Sequence, residues 1–392
     1  MSLYQKASLV QIPSGYKAAD AKLYSVVPSN GDGDFTVTVD ADATRVNKDG
    51  LIESVAADQA RLNYDFTNPQ DPHLLLEPSR TNYLTNSNNA SLWGQSTSNG
   101  TVTTTANYST APNGSNEATR LQASVSGGSG FALLSKSTTS FFGSYAATVY
   151  LKSTNGSSQE VCIYGRNTGN QVVTVTSEWQ RFELNGSSTS GQSNFLNVGI
   201  NTGFVGEDNP IDILVWGGQI EEGSYATSLI PTSGSAVTRT FDSCINGGDA
   251  NLFNDTEGVL YANISAFGND GTFRVLSVSD GSNNNIVKVG YRSTSDAIYY
   301  EVRSGGTTQA FQIYTTIDVK QFNKVAVLYQ QNNFKLYING TNVLSDVSGI
   351  TPVGLNNLSF NADGAADFFG KVNEAIYFNE ALTDQELIQL TS

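Results

Sequence analysis

The sequence predicts an all-β protein: two antiparallel β-sandwiches in tandem, after an N-terminal arm or small module. Three observations predict it. Short apolar runs recur from residue 82 onward, separated by Gly, Ser and Asn clusters. Only 15% of the residues are charged against 39% hydrophobic, and Gly, Ser, Thr and Asn make up the balance, a composition suited to strands and turns. One segment alone carries a clear helix signature. At 392 residues the chain suits two or three domains, and 19 Phe and 18 Tyr supply enough area to bury that disorder is not expected.

The first block, residues 1–81, alternates short apolar runs with Pro and Gly punctuation, as in SLVQIPSGYKAADAKLYSVVPSNGDGDF. Its strands are too few for a core of its own, so it reads as a segment ordered by neighbours. The second block, 82–243, carries strand patterns at Ala118–Ala123, Ala146–Lys152, Glu160–Tyr164, Val172–Val175, Gln180–Leu184, Phe195–Ile200 and Ile211–Trp216. Gly217 and Gly218 are expected to end the last of these, with Glu221 and Glu222 as a solvated turn. Pro231, Ser233, Gly234 and Ser235 then make a polar connector, and Cys244 is expected in a linker.

The third block, 244–392, opens on that connector. VAVLY at Val325–Tyr329 is apolar on both faces and predicts a central strand. Phe334, Leu336 and Ile338 alternate with Lys335 and Tyr337, predicting a strand with one buried face. Asn339-Gly340 supplies a two-residue hairpin turn. Gly370–Phe378 is the last strand, and Thr383-Asp384-Gln385-Glu386 is a capping box that opens the one helix.

Net charge is −15, which disfavours nucleic-acid partners and anionic membrane surfaces. Residues 1–15 lack a charged start followed by a long apolar core, so no signal peptide is expected. No apolar run approaches the ~20 residues of a membrane span, so no membrane insertion is expected. ATR recurs at Ala43–Arg45 and Ala118–Arg120, and VTR at Val237–Arg239, at unequal spacings that exclude a solenoid period.

The chemistry points away from catalysis. His73 is the only histidine, so a His-based triad or multi-His metal site is strongly disfavoured, and a structural role is expected for it. A glycosidase needs two facing carboxylates; Glu221-Glu222 are adjacent and Glu207-Asp208 lie in a loop, and both pairs read as solvated. Asp270 and Asp280 are calcium-ligand types on loops, but both fit ordinary turns; no metal or cofactor is assigned. Sugar binding asks for an aromatic platform beside amides or carboxylates. Trp179 and Trp216 lie within strands and read as core. The candidates for carbohydrate binding are therefore Trp93 beside a polar loop, Tyr299 and Tyr300, of which one should face outward, and the amides of Asn283 and Asn284.

Three parts of the chain resemble known families. FNKVAVLYQQNNFKLYINGTNV and GKVNEAIYFNEALTDQELIQL resemble the central hairpin and closing strand and helix of laminin-G or concanavalin A-like lectin sandwiches, over about 257–390. TNYLTNSNNASLW, TVTSEWQRFEL and WGGQIEEGSYATSLIPTSGSAVTRT are similar to carbohydrate-binding-module-like jelly rolls of bacteriophage proteins. LVQIPSGYKAADAKLYSVVPSNGDGDF and TRVNKDGLIESV resemble an N-terminal region of phage virion proteins. The relatives of the lectin fold that are laminarinases carry an E-x-D-x-x-E strand, and that spacing does not occur here.

The resemblance implies a non-enzymatic virion surface protein, a head fibre, decoration protein or tail-fibre adhesin. Residues 1–81 would dock to other virion proteins and the two sandwiches would project toward host or environmental glycans. It also implies a homo-oligomer, trimers being common among fibres, although no heptad stretch specifies one. A purely structural virion protein without a sugar ligand is the alternative, and a polysaccharide depolymerase a distant one. Assembly in a bacterial cytoplasm would argue against a bond between Cys162 and Cys244.

Overall fold

The computed structural model describes residues 3–17, 22–41, 43–66, 72–189, 191–292 and 296–392. Two sandwiches carry the chain, as expected, and the strand patterns explain both. In the middle sandwich one sheet runs Gly94–Ser98, Phe131–Ser140, Ser193–Asn201, Gln159–Gly165, Gln171–Val175. The facing sheet runs Gly100–Ser109, Ala118–Val125, Ile211–Glu222, Gly143–Ser153, Gln180–Ser188, and all its pairings are antiparallel. Leu121, Leu134, Val149, Val161, Leu196 and Ile213 meet between the two sheets.

All seven strands expected in this block form. Gly94–Ser98, Gly100–Ser109 and Phe131–Ser140 were not expected. The first is exposed throughout and the second nearly so, and GQSTS and GTVTTTANYS lack the apolar alternation that marks a half-buried strand.

The Ile211–Glu222 strand corrects two expectations. Gly217 and Gly218 do not end it. Gly217 sits at φ +65° where the register with Gly143–Ser153 shifts, so it is a bulge residue. Gly218 lies against the Trp93 ring, where an added Cβ would stand 2.4 Å from it. Glu221 is not a solvated turn residue either: it is fully buried and accepts hydrogen bonds from Gln219, from the Thr227 amide and from the Thr227 hydroxyl.

The C-terminal sandwich is built on an eight-stranded sheet. Its order is Thr341–Asp346, Asn333–Ile338, Asn323–Gln330, Glu257–Ser265, Gly370–Phe378, His73–Leu76, Arg61–Asn63, with Leu9–Gln11 also pairing Gly370–Phe378. The facing sheet runs Thr307–Thr315, Ala297–Ser304, Ile286–Tyr291, Arg274–Ser279, Asn357–Ser359. Asn323–Gln330 is central, as its apolar run requires: Val325 and Val327 enter the core between the sheets, and Ala326 and Leu328 the cluster on the outer face. Tyr337 is also buried in that outer cluster, so its strand buries both faces rather than one. The helix Asp384–Thr391 seals this face through Leu387, and its Thr383 capping box is complete. Asn339 and Gly340 both have positive φ, as their hairpin turn demands.

The first block is ordered by neighbours within the chain. Three of its strands extend the C-terminal sheet, Thr36–Thr38 pairs Ser243–Ile245, and Arg80–Asn82 pairs Val237–Arg239. Cys244 is therefore on a strand, not in a linker; it and Cys162 are free and buried. The block also covers one outer face of the middle sandwich. Val46, Ile52 and Phe66 pack on Tyr150, Leu214, Trp216 and Leu229. Full burial of a side chain such as Ile52 contributes about 1.5–3 kcal/mol, so this cover is part of the fold rather than an appendage. No helix among the described residues is long and apolar enough to cross a membrane.

Candidate functional site

The same packing leaves a cleft of about 340 Å³ where the first block, the middle sandwich and the C-terminal sandwich meet. Its floor is ionic. Arg61 and Arg239 both donate to Glu77 Oε2, at 2.6 and 2.7 Å, and Arg61 also pairs with Asp242. Ser228 closes the set, its amide donating to Glu77 Oε1 and its hydroxyl to Oε2, each at 2.7 Å. The four charged side chains are buried, and their formal charges cancel. Burial alone would raise Glu77, but Arg239 and Arg61 outweigh it and hold its carboxyl at about 2. Asp242 moves the other way, pushed up by burial against the pull of the same arginines. The cluster joins the strand Arg61–Asn63 and the residue after His73–Leu76 to the connector between the sandwiches, so it fixes where the cleft walls stand.

Those walls are aromatic. Phe66 meets Tyr150 edge-on with ring centroids 5.3 Å apart, and Tyr225 stacks on Phe267 at 5.5 Å. The charged groups between them are the cations Arg45, Arg181, Lys320 and Lys371 and the carboxylates Asp65, Glu77 and Glu183. Arg181 reaches in from Gln180–Ser188; its Nη2 donates to the Thr227 carbonyl at 2.6 Å, and its Nε is buried without a hydrogen-bond partner among the described residues. Lys320 and Lys371 line the same cleft and have no ion-pair partner among the described residues. Glu183 accepts from the Ala226 amide at 3.2 Å. His73 is buried in the wall, Nε2 3.2 Å from Asn63 Nδ2. Such a cleft offers rings to the apolar face of a sugar and cationic donors to an acceptor-rich rim. Glu77, locked and depressed, is unfit as a general acid near neutral pH.

The residues proposed from sequence fall elsewhere, and two are corrected outright. Trp93 is 4% exposed, sits in the core of the middle sandwich and donates from Nε1 to the Asn86 carbonyl at 3.0 Å, so it is not a platform. Tyr300 is 0% exposed between the C-terminal sheets. Tyr299 does point to the outer side, as strand alternation requires, but is only 6% exposed. Phe273 and Phe311 flank it, with centroids at 5.0 and 5.7 Å, and the Arg292 guanidinium lies 5.5 Å from its ring. Phe311, 44% exposed, is the aromatic that this face actually presents. Lys288 links Tyr299 to Asn283: its Nζ lies 5.7 Å from the Tyr299 ring and donates to Asn283 Oδ1 at 3.0 Å. Asn284 is exposed on the neighbouring loop.

Asp270 binds Arg274 through both oxygens at 2.7 Å, and Asp280 accepts from Ser282 and Asn285. Among the described residues no group of three or more His, Cys, Asp or Glu is placed to hold a metal ion.

The junction cleft has no linear signature. Its residues come from Thr44 to Lys371, and no spacing rule joins them. Two fragments were visible in part: DPHLLLEP holds both His73 and Glu77, and Arg45 and Arg239 come from two of the three repeated ATR and VTR triplets.

Residues 251–388 match the model of the concanavalin A-like lectin/glucanases superfamily. That segment is the C-terminal sandwich without the strands added by the first block, a lectin-like domain. Among solved structures, the chain is similar to the Ruminococcus gnavus intramolecular trans-sialidase CBM40 bound to α2,3-sialyllactose, at 18% identity and a TM-score of 0.32, covering 38% of this chain and 94% of that one. It is also similar to domain 4 of a Geobacillus stearothermophilus extracellular arabinanase in complex with arabinotriose, at 13% identity and a TM-score of 0.31, covering 43% and 81%. No curated protein matches the chain.

Proposed function

We propose that the protein is a non-enzymatic glycan-binding surface protein of a bacteriophage virion, a head fibre, decoration protein or tail-fibre adhesin, and that the junction cleft holds an acidic sugar. The observation that carries the glycan reading is the pairing of aromatic walls with Arg181, Lys320 and Lys371 in a molecule of net charge −15. An anionic ligand has to overcome the repulsion of the whole protein, and locally unpaired cations are what would make that worthwhile. The lectin-like domain at residues 251–388 supports the same reading. Weak single sites on many copies would act together through multivalency.

An array of acidic and neutral oligosaccharides tests the glycan part with the full chain. Retention of uronate, sialylated or phosphorylated glycans that weakens as salt rises supports it, and silence across the acidic members overturns it. The virion part rests on the phage-like segments at 9–35, 44–55, 81–93, 174–184 and 216–240. Labelling of phage particles by antibody in electron micrographs is the appropriate test, and unlabelled particles would overturn it. Deleting residues 1–81 would not be, because it removes three strands of the lectin-like sheet along with any docking surface.

The alternative, a structural virion protein without a sugar ligand, draws support from the burial of Trp93 and Tyr300. The array separates the two.

A further inference from the structure

The outer face of the eight-stranded sheet holds a second cleft, of about 660 Å³, that the junction cleft does not share. One wall is the N-terminal segment at Tyr4 and Ile12; the other is the C-terminal helix at Leu390. Its floor is made by a defect in strand pairing. Asn263 stands opposite Glu374 and Ile264 opposite Val372, so Asn373 is the extra residue of a β-bulge. Val372 points into the core between the sheets. Strict alternation would send Glu374 the same way, and the bulge turns it outward beside Asn263 and Tyr261 instead.

The polar side chains gathered there are Glu374, Asn263, Asn373, Gln389 and Lys324, whose Nζ is taken by the Ser392 carbonyl. Glu374 is held on both oxygens: the Tyr4 hydroxyl donates to Oε1 and the Tyr261 hydroxyl to Oε2, the latter at 3.0 Å. Asn263 Oδ1 and Asn373 Oδ1 are each buried without a hydrogen-bond partner among the described residues. Buried acceptors are paired in the great majority of cases, so two side by side in one cleft ask for a donor from outside the chain. Aliphatic walls at Ile12 and Leu390 and the 48% exposed Tyr4 ring complete the lining.

We infer that this cleft is a second ligand site, and that its ligand is a neutral saccharide. Vicinal hydroxyls donate to Asn263 Oδ1, Asn373 Oδ1 and the remaining lone pairs of Glu374, while the C–H face of the ring lies on Tyr4. A divalent cation is the wrong occupant, because Glu374 is the one carboxylate in the lining among the described residues and both its oxygens already accept hydrogen bonds. An acidic sugar would face Glu374 directly. The site stands apart from the junction cleft and does not depend on it.

Saturation-transfer NMR and calorimetry on the full chain, with maltotriose, cellotriose, mannotriose and galactotriose as probes, test this. At least one trisaccharide is expected to bind. Asn373→Ala and Tyr4→Ala should each weaken it about tenfold or more, the range expected when a charge-neutral hydrogen bond or a stacking ring is lost at a small-ligand site. Tyr4 is half exposed, so that variant remains informative if loss of Asn373 disturbs the bulge. Lys320→Ala and Lys371→Ala should leave this binding unchanged. No binding by any of the four, binding that survives both Asn373→Ala and Tyr4→Ala, or binding lost with the lysine variants, overturns the site.

Discussion

The two clefts of this molecule are opposite in chemistry and in origin. The junction cleft lies where three parts of the chain meet, and its uncommitted groups are donors: Arg181 Nε, Lys320 and Lys371. The second cleft lies on the outer face of one sheet, between the N-terminal segment and the C-terminal helix, and its uncommitted groups among the described residues are acceptors: Asn263 Oδ1 and Asn373 Oδ1. The first depends on long-range packing held by a buried ion cluster. The second depends on one extra residue in one strand pair. A cleft made by assembly of distant segments fails when their attachment fails; a cleft floored by a bulge fails first with changes to that bulge. That difference can be broken or sharpened by substitution.

The largest expected effect is at the ion cluster. Glu77→Ala leaves Arg61 and Arg239 buried without their shared partner, and should destabilise the fold by about 3–5 kcal/mol, read by denaturant unfolding. Acceptor-rich Glu374 is the contrast: Glu374→Gln keeps shape and sits at a cleft surface, so about 1 kcal/mol or less is expected. Equal losses for the two would dissolve the distinction.

Trp93→Ala should also cost about 3–5 kcal/mol, from cavity formation in the middle sandwich, and should leave glycan binding by the folded fraction unchanged. Binding that disappears while the protein stays folded would restore Trp93 as a contact residue.

The ion cluster sets a pH dependence with a definite sign. The Glu77 carboxyl lies at about 2 in the fold, against an ordinary value of 4.5, so its contribution is present above pH 4.5 and lost as pH falls toward 2. Asp242, raised by burial, acts in the opposite direction above its ordinary 3.8 and offsets part of this. A melting temperature that falls between pH 4.5 and 2, with a shallower fall in Glu77→Gln, is the expected outcome. A fall of equal steepness in both would remove Glu77 from the account.

A smaller effect is expected at the helix that walls the second cleft. Thr383→Ala removes the cap that accepts from the Glu386 amide and should cost about 1 kcal/mol, seen by thermal unfolding. It should weaken neutral-sugar binding modestly and leave acidic-sugar binding alone.

Much of the fold was legible because strand pairing leaves a period in sequence. Val325–Tyr329 announced a central strand by being apolar on both faces, and Thr383–Glu386 announced its helix by a capping box. The sites were not legible for a physical reason. An aromatic in a strand shows its face but not what covers it. Tyr299 points outward and is still buried, because Phe273, Phe311 and Arg292 close over it. Trp93 follows a polar loop and is buried because Gly218, far along the chain, leaves room for its ring. Glu221 read as a turn because two glycines precede it, yet the bulge at Gly217 lets the strand run on. Both clefts arise from pairings between distant residues, Leu9–Gln11 and His73–Leu76 with Gly370–Phe378 among them, which no local spacing encodes.

The most direct test is titration of the full chain with the acidic oligosaccharides that the array retains, for the wild type and for Lys320→Ala/Lys371→Ala. The account predicts that the double variant folds normally and loses about 1.5–3 kcal/mol of binding, roughly ten- to a hundredfold, with a weaker salt dependence. Acidic-glycan binding that is unchanged in the double variant would contradict it.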